Sequence, residues 1–328
     1  MPEEQAAVNR IVKGAIQTLG SAYTARLINF GVLILLTNIL VPGDFGTIEM
    51  AFSLLALVVA IRDLGLHYAL IHEHDRVHEL APTHFVLSVG LGAISTVLAI
   101  LMAFFYEDAT TAVQGLDAYL KKDVQPTDPK PMVAVALLVF AVFDLLKTAA
   151  LTAETQLRRD LAFGRLAFAH ASATIFAALL GLLVAYFGGG RWALILGFFP
   201  YSAGYVTLFC TVVWLKCPPP LHRLKEFNRQ AARRMIAYGL WFWIGGVPKV
   251  FILHFDKLVI GFLINLEVRG LYDTAHRFAQ MPTGAITLAI VGITGAVYAR
   301  YQNNRDQLSA AYRRTLRLIL RTTVPISC

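Results

Sequence analysis

The stretch THFVLSVGLGAISTVLAILMAFFY, residues 83–106, contains no Asp, Glu, Lys or Arg. About 20 predominantly apolar residues are enough to cross the ~30 Å hydrocarbon core of a bilayer as an α-helix. The stretch lacks the strict polar and apolar alternation of a membrane-spanning β-strand. It therefore predicts a transmembrane helix, and the rest of the chain follows the same pattern.

The whole chain has the composition of a membrane protein. It is 57% hydrophobic and only 15% charged, with a mean hydropathy of +0.59, whereas soluble domains contain about 25% charged residues. Eight apolar segments predict an all-α, polytopic membrane protein. They are Gly14–Leu40, Gly46–Ile71, Thr83–Tyr106, Met132–Thr155, Leu166–Phe187, Trp192–Leu215, Ile236–Leu263 and Leu271–Ala299.

The formal net charge of +8 is distributed unevenly between the connections. If the N-terminus is cytoplasmic, most Lys and Arg residues fall in cytoplasmic connections, above all in the runs 216–234 and 300–317. The periplasmic connections then hold only Lys121, Lys122, Lys130, Arg191 and Arg269. This follows the positive-inside rule. It predicts a bacterial inner-membrane protein with a cytoplasmic N-terminus, and it explains the basic charge without a nucleic-acid partner.

An internal repeat suggests how the segments are organised. LVPGDFGTIEMA, residues 40–51, joins segments one and two, and INLEVRGLYDTA, residues 264–275, joins segments seven and eight. Aligned, the copies match Gly46 with Gly270 and Glu49 with Asp273. Because they are six segments apart, both enter the membrane from the same side, as parallel repeats of transporters do.

The repeat predicts residues 1–216 as a six-helix bundle, 217–235 as a basic cytoplasmic linker and 236–328 as an incomplete second bundle. After Ala299 only a basic loop and LRLILRTTVPISC, residues 316–328, remain. Its apolar part is too short to span a bilayer. We therefore expect eight full transmembrane helices plus the start of a ninth, in a chain that is C-terminally truncated.

Several motifs carry a family resemblance: NILVPGDFGTIEMA at 38–51, LRRDLAFGRLA at 157–167, GGGRWAL at 188–194 and FDKLVIGFLINLEVRGLYDTAHRFAQMP at 255–282. The chain resembles the polysaccharide flippases of the multidrug/oligosaccharidyl-lipid/polysaccharide (MOP) superfamily. The resemblance implies a MATE-like fold of two six-helix bundles around a cavity. It also implies transport of an undecaprenyl-diphosphate-linked oligosaccharide between leaflets, for O-antigen, capsule or exopolysaccharide biosynthesis, without enzymatic activity or a cofactor.

Ionisable residues inside the segments indicate where a cavity lies. Such a side chain costs about 2.5–3.5 kcal/mol at the centre of a helix in the bilayer, so it should face a partner or water. They are confined to segments one, two, four, seven and eight. We expect these residues to line the cavity: the candidate substrate-binding cations Arg26, Arg62, Lys147, Lys249 and Arg277, and the candidate ion-coupling carboxylates Asp63, Asp144, Asp256 and Asp273.

Two interpretations of these charges stay open. In the first, Arg26 and Lys249, one position apart in the repeat register, present paired cations to a diphosphate group. In the second, the charges only neutralise one another within each helix. That interpretation pairs Asp144 with Lys147, Asp256 with Lys257 and Asp273 with Arg277.

Two local motifs allow a functional or a structural interpretation. Gly245, Gly246 and Pro248 predict a bend in segment seven, either a hinge or a static kink, because proline removes a helical hydrogen bond. The cluster His72, Glu73, His74, Asp75 and His78 matches no standard zinc signature. We expect no metal there.

The favoured function is a flippase that works by alternating access. No GxxxxGK[ST] motif occurs, so we expect proton or sodium coupling rather than ATP hydrolysis. An exporter of cationic drugs would need an acidic cavity. A membrane-embedded glycan polymerase or ligase would need a large catalytic loop, and the longest periplasmic connection, Glu107–Pro131, has no His or Arg. An inactive fragment is the third alternative.

Overall fold

The computed structural model describes residues 20, 23–72, 77–120, 130–160, 162–280, 309, 312–317 and 320–321. Within these ranges all regular structure is helical, which confirms the predicted all-α class. The helices are α1 (Tyr23–Ile39), α2 (Pro42–Arg62), α3 (Leu66–His72), α4 (Val77–Leu120), α5 (Lys130–Arg159), α6 (Phe163–Tyr186), α7 (Trp192–Gly197), α8 (Ala203–Lys216), the 3₁₀ helix Leu221–Glu226, α9 (Arg229–Leu263) and α10 (residues 266–280).

Five of the described helices contain stretches long and apolar enough to cross a membrane. These stretches are Pro42–Arg62, Leu80–Tyr106, Met132–Arg158, Phe163–Tyr186 and Arg229–Leu263, and α1 and α8 are shorter apolar helices. The chain is thus a polytopic helical membrane protein. The start of segment one, residues 281–299 of segment eight and most of the predicted start of a ninth helix lie outside the described residues.

Two predicted segments are interrupted in the structure. Segment two ends as a helix at Arg62 and resumes at Leu66, and Gly65 between them has a φ of +63°, which glycine adopts without the steric cost of a side chain. Segment six divides into α7 and α8 around Pro200, where proline disfavours a continuous helix. Non-helical backbone within a membrane protein is tolerated where it is buried in protein or lines a cavity.

The predicted periplasmic connection Glu107–Pro131 also differs from expectation. α4 continues to Leu120, so the first part of this connection is helical.

α2 is the central helix of the described bundle. It packs against α4, α5, α7 and α9, and 67% of its apolar stretch is buried, compared with 6% for α9. Phe45, Ile48 and Leu55 on α2 join the main hydrophobic core together with Phe140 of α5 and Phe199 after α7. A site on α2 therefore contacts several helices at once.

The two copies of the internal repeat meet at their glycines. A Cβ atom added to Gly46 would lie 1.6 Å from the carbonyl oxygen of Leu266, and one added to Gly270 would lie 1.9 Å from that of Pro42. Pro42 and Leu266 occupy equivalent positions of the two copies. The contact is therefore reciprocal, as at the interface between two units related by a two-fold axis.

This contact predicts a strong effect of a small substitution. Gly46→Ala should destabilise the protein by at least about 1–3 kcal/mol, because the methyl group can only be accommodated if α2 and α10 move apart. Gly43→Ala is the matched control in the first turn of the same helix, since nothing lies within 4 Å of its added Cβ. Thermal unfolding of the purified variants in detergent measures the difference, and equal midpoints would contradict the prediction.

Candidate functional site

One cavity is a groove along α6. Its volume is about 440 Å³. Its lining on α6 runs from Phe163 to Ala177 at helical spacing, which corresponds to about 21 Å along the helix axis. We call this cavity the α6 groove. Its lining residues are Ala25, Asn29, Arg158, Phe163, Leu166, Ala167, His170, Thr174, Ala177, Gly197, Phe198, Phe199, Pro200, Tyr205 and Arg277.

The α6 groove is largely apolar and carries a cation towards each end. Arg158, beside the start of α6, donates to Glu154 at 3.1 and 2.6 Å. Arg277, from α10, lies 5.5 and 5.3 Å from the ring centroids of Phe198 and Phe199, close enough for cation–π attraction. Such a groove suits an elongated ligand that combines anionic and less polar parts.

Polar groups also occur in the middle of the groove. The Nδ1 atom of His170 is 2.7 Å from the hydroxyl of Tyr205, and both rings stack on Phe209. This arrangement presents a flat aromatic surface with hydrogen-bonding edges. A binding pocket of this kind fixes the orientation of a ligand through a few placed polar groups.

A second cavity, about 200 Å³, lies between α2, α3, α4 and α5. Arg62 donates to Asp144 Oδ1 at 2.8 Å and also hydrogen-bonds the hydroxyl of Thr148. The ammonium group of Lys147 lies 4.7 Å from the ring centroid of Tyr201. We call this cavity, with its lining residues Arg62, Asp63, Asp144, Lys147, Thr148, Glu154 and Tyr201, the Asp144 pocket.

Asp144 keeps unused hydrogen-bonding capacity in this pocket. The residue is only 1% exposed, yet among the described residues its Oδ2 atom, like Arg62 Nε, has no hydrogen-bond partner. A buried carboxylate oxygen in a polar space has room to accept a bond from water or a small cation.

A buried ion network lies at the contact between the repeats. Arg269 of α10 is fully buried and donates to the Glu49 carbonyl at 2.8 Å and to the Ser53 hydroxyl at 2.6 Å. Asp273 lies 3.2 Å from both Arg269 and Lys257. Arg277 pairs with the Glu49 carboxylate. The network therefore joins α2 to α9 and α10.

The structure places seven of the nine predicted ionisable residues as follows. Arg62, Lys147, Asp63 and Asp144 line the Asp144 pocket, and Arg277 lines the α6 groove. Asp273 belongs to the buried network, and Asp256 accepts a hydrogen bond of 2.6 Å from the Tyr272 hydroxyl.

Arg26 and Lys249 are exposed and line neither of these two cavities. Ala25 and Asn29, the neighbours of Arg26 on α1, do line the α6 groove, so Arg26 lies at its edge. The joint binding of a diphosphate by Arg26 and Lys249 stays a prediction.

Of the single-helix ion pairs in the second interpretation, Asp144 with Lys147 and Asp273 with Arg277 are not formed. Asp144 pairs with Arg62 of α2 rather than with Lys147, and Asp273 pairs with Lys257 and Arg269 while Arg277 pairs with Glu49. Spacing along one helix identifies a shared face, but it does not say which neighbouring helix supplies the partner. Arg269 was also expected in a periplasmic connection.

The remaining motifs are less informative. Gly245, Gly246 and Pro248 lie within α9, which is helical throughout. An added Cβ at either glycine would have nothing within 4 Å. The hinge stays a prediction.

His72 ends α3, while residues 73–76 and the side chain of His78 lie outside the described part. Among the described residues no group of three metal-binding side chains was found.

Fold and cavities define a polytopic helical membrane protein with charged spaces between its helices. A family model described as "Polysaccharide biosynthesis protein" matches residues 35–114 and 127–328. The chain belongs to this family, as its sequence motifs predicted.

Two curated proteins are similar to the chain. The lipopolysaccharide biosynthesis protein WzxC of Escherichia coli K12 is 20% identical over 298 residues, which cover 90% of this chain and 56% of WzxC. The succinoglycan biosynthesis transport protein ExoT of Rhizobium meliloti is 23% identical over 286 residues, which cover 87% of this chain and 53% of ExoT. The chain thus spans a little over half the length of these relatives. No solved structure matches it significantly.

The buried network predicts a large loss of stability when one of its charges is removed. Arg269→Met should destabilise the protein by about 3–5 kcal/mol, because Asp273 loses a buried partner. Lys249→Met removes a cation of the same sign from an exposed site and should leave stability unchanged. Unfolding in detergent compares the two variants, and similar losses in both would contradict a role of the network in stability.

Proposed function

We propose that the chain is part of a flippase that moves an undecaprenyl-diphosphate-linked oligosaccharide from the cytoplasmic to the periplasmic leaflet of the bacterial inner membrane. The N-terminus is cytoplasmic, and the two bundles work by alternating access. The α6 groove carries this proposal, because helices of the first repeat form it together with Arg277 of the second. Membership of the family and the transport role in the name of ExoT support it.

The groove matches the chemistry of the proposed substrate. A diphosphate forms strong charge-assisted hydrogen bonds with guanidinium groups. The groove offers one such group towards each end, Arg277 or Arg158, and either would exchange its carboxylate partner, Glu49 or Glu154, for the diphosphate. The aromatic rings and the hydroxyl of Tyr205 between them suit sugar rings, which have apolar faces and hydroxyl edges. Arg26 and Lys249 are the further cations that we propose to contact the diphosphate.

Arg277→Gln tests the groove. It should weaken the binding of undecaprenyl diphosphate to the purified chain by about 10–100-fold, since a hydrogen bond to a charged group contributes about 1.5–3 kcal/mol. Arg165→Gln is the matched control, because Arg165 is exposed at the start of α6 and does not line the groove. Native mass spectrometry measures the bound lipid, and equal retention in both variants would exclude Arg277 as a ligand.

Transport is tested by complementation of a flippase-null strain with this chain and, separately, with a full-length relative. Rescue by both supports the proposal for the chain itself. Rescue by the relative alone would show that the chain is an inactive fragment. Sugar transfer by the purified chain on a lipid-linked substrate, without transport, would instead favour the glycan polymerase or ligase.

Among the four candidate coupling carboxylates, we propose Asp144 as the one that binds a proton or sodium ion. It is buried and lines a cavity, whereas Asp256 and Asp273 line neither of the two cavities and Asp63 is half exposed. Asp144 pairs with one cation, Arg62, whereas Asp273 pairs with two. This location separates ion binding from the α6 groove.

Asp144→Asn should abolish the dependence of transport on an ion gradient while leaving lipid binding intact, because the amide remains neutral and polar. Asp63→Asn, in the same pocket but exposed, is the control and should retain the dependence. Transport into proteoliposomes with imposed proton or sodium gradients measures the effect. Retention of the gradient dependence in Asp144→Asn would refute this assignment.

A further inference from the structure

A surface that lines neither of the two cavities combines exposed apolar and basic side chains. It consists of the 3₁₀ helix Leu221–Glu226 and the first turns of α9. Leu221 is 59% and Leu224 39% exposed, and residues three apart lie on the same edge of a 3₁₀ helix. Phe227 follows directly and is 37% exposed. An apolar edge of this kind is unfavourable in water and typical of the membrane interface.

Unpaired cations surround this edge. Arg223 is held by Glu226 at 2.6 Å, so its charge is neutralised locally. The remaining cations are exposed, and no ion pair holds them in the described part of the chain. They are Lys216, Lys225, Arg229, Arg233 and Arg234. Together with Leu221, Leu224 and Phe227 they form what we call the basic platform.

The platform has a fixed orientation on the bundle. The Asn228 side chain caps α9 by accepting from the backbone N–H groups of Gln230 and Ala231, and the backbone N–H of Asn228 donates to Thr83 of α4 at 3.1 Å. Ala231 and Met235 are buried against α3 and α4. Because this side of α9 is packed, its arginines point outward.

The platform also lies at a defined distance from the apolar part of α9. Trp241 is 78% exposed and follows Arg234 by two turns, or about 10 Å along the axis. Exposed tryptophans of transmembrane helices lie at the interface between headgroups and acyl chains. A membrane with Trp241 at this interface would have the arginines on its headgroup side.

We propose that the basic platform is a binding site for anionic phospholipids of the adjacent leaflet. The five cations contact the lipid phosphates, and Leu221, Leu224 and Phe227 insert between the headgroups. Clusters of four to eight Lys and Arg residues next to a transmembrane helix bind anionic lipids in this way. None of the platform residues lines the α6 groove, so the site is distinct from the proposed transport path.

The test compares lipid retention by the purified chain. In native mass spectrometry the unmodified chain should retain phosphatidylglycerol in preference to phosphatidylcholine. The triple variant Arg229→Gln, Arg233→Gln, Arg234→Gln should weaken retention of phosphatidylglycerol at least about tenfold. Equal retention of both lipids by the unmodified chain, or unchanged retention in the variant, would overturn the proposal.

The controls distinguish the loss of charge from misfolding of the variant, and the binding of phospholipid from the binding of the transported substrate. Replacing the same three arginines by lysine keeps the charge and should keep the preference. If the glutamine variant does not fold, salt provides the test on the unmodified chain, because high ionic strength should abolish a preference that rests on exposed charges. Displacement of phosphatidylglycerol by an equal amount of undecaprenyl diphosphate would identify a substrate-binding surface and refute the proposal. None of these measurements depends on transport.

Discussion

The burial of the Arg269 guanidinium is the constraint on which the arrangement of the repeats depends. A charged group withdrawn from water must be fully paired, and among the described residues the partners of Arg269 are Glu49, Met50 and Ser53 of α2 and Asp273 of its own helix. α2 and α10 are thereby held in one register. That register places Arg277 beside Phe198 and Phe199 and so determines the charge of the α6 groove.

Three groups of the described charges have different surroundings. Those at the repeat contact are closely paired, those in the Asp144 pocket are paired incompletely, and those of the basic platform are exposed. Full pairing stabilises a structure, whereas an unused carboxylate oxygen or an unpaired surface cation is available to a ligand. This division explains why we assign stability to Arg269 and Asp273 of the first group, ion binding to the second group and lipid contact to the third. Arg277 differs from the rest of the first group because, although paired with Glu49, it also lines the α6 groove.

Much of this organisation could be predicted from the sequence, because apolar length and charge position are local properties. The helical class was predicted in this way and is confirmed. Arg62, Asp144, Lys147 and Arg277 were predicted to line one cavity, whereas the first three lie beside the Asp144 pocket and Arg277 lies beside the α6 groove. Partners across helices were not predicted, since they depend on how helices pack. Arg269 is the clearest case, because a lone arginine near a short connection has the same sequence pattern whether it is buried or exposed.

The reciprocal glycine contact couples two positions that are far apart in the chain. A side chain at either Gly46 or Gly270 would fill the same gap between α2 and α10, so neither position can change independently of the other. Duplicated segments usually diverge because each copy acquires its own surroundings. Here each copy packs against the other. The close backbone contact between them requires glycine in both copies, so divergence at these two positions is disfavoured.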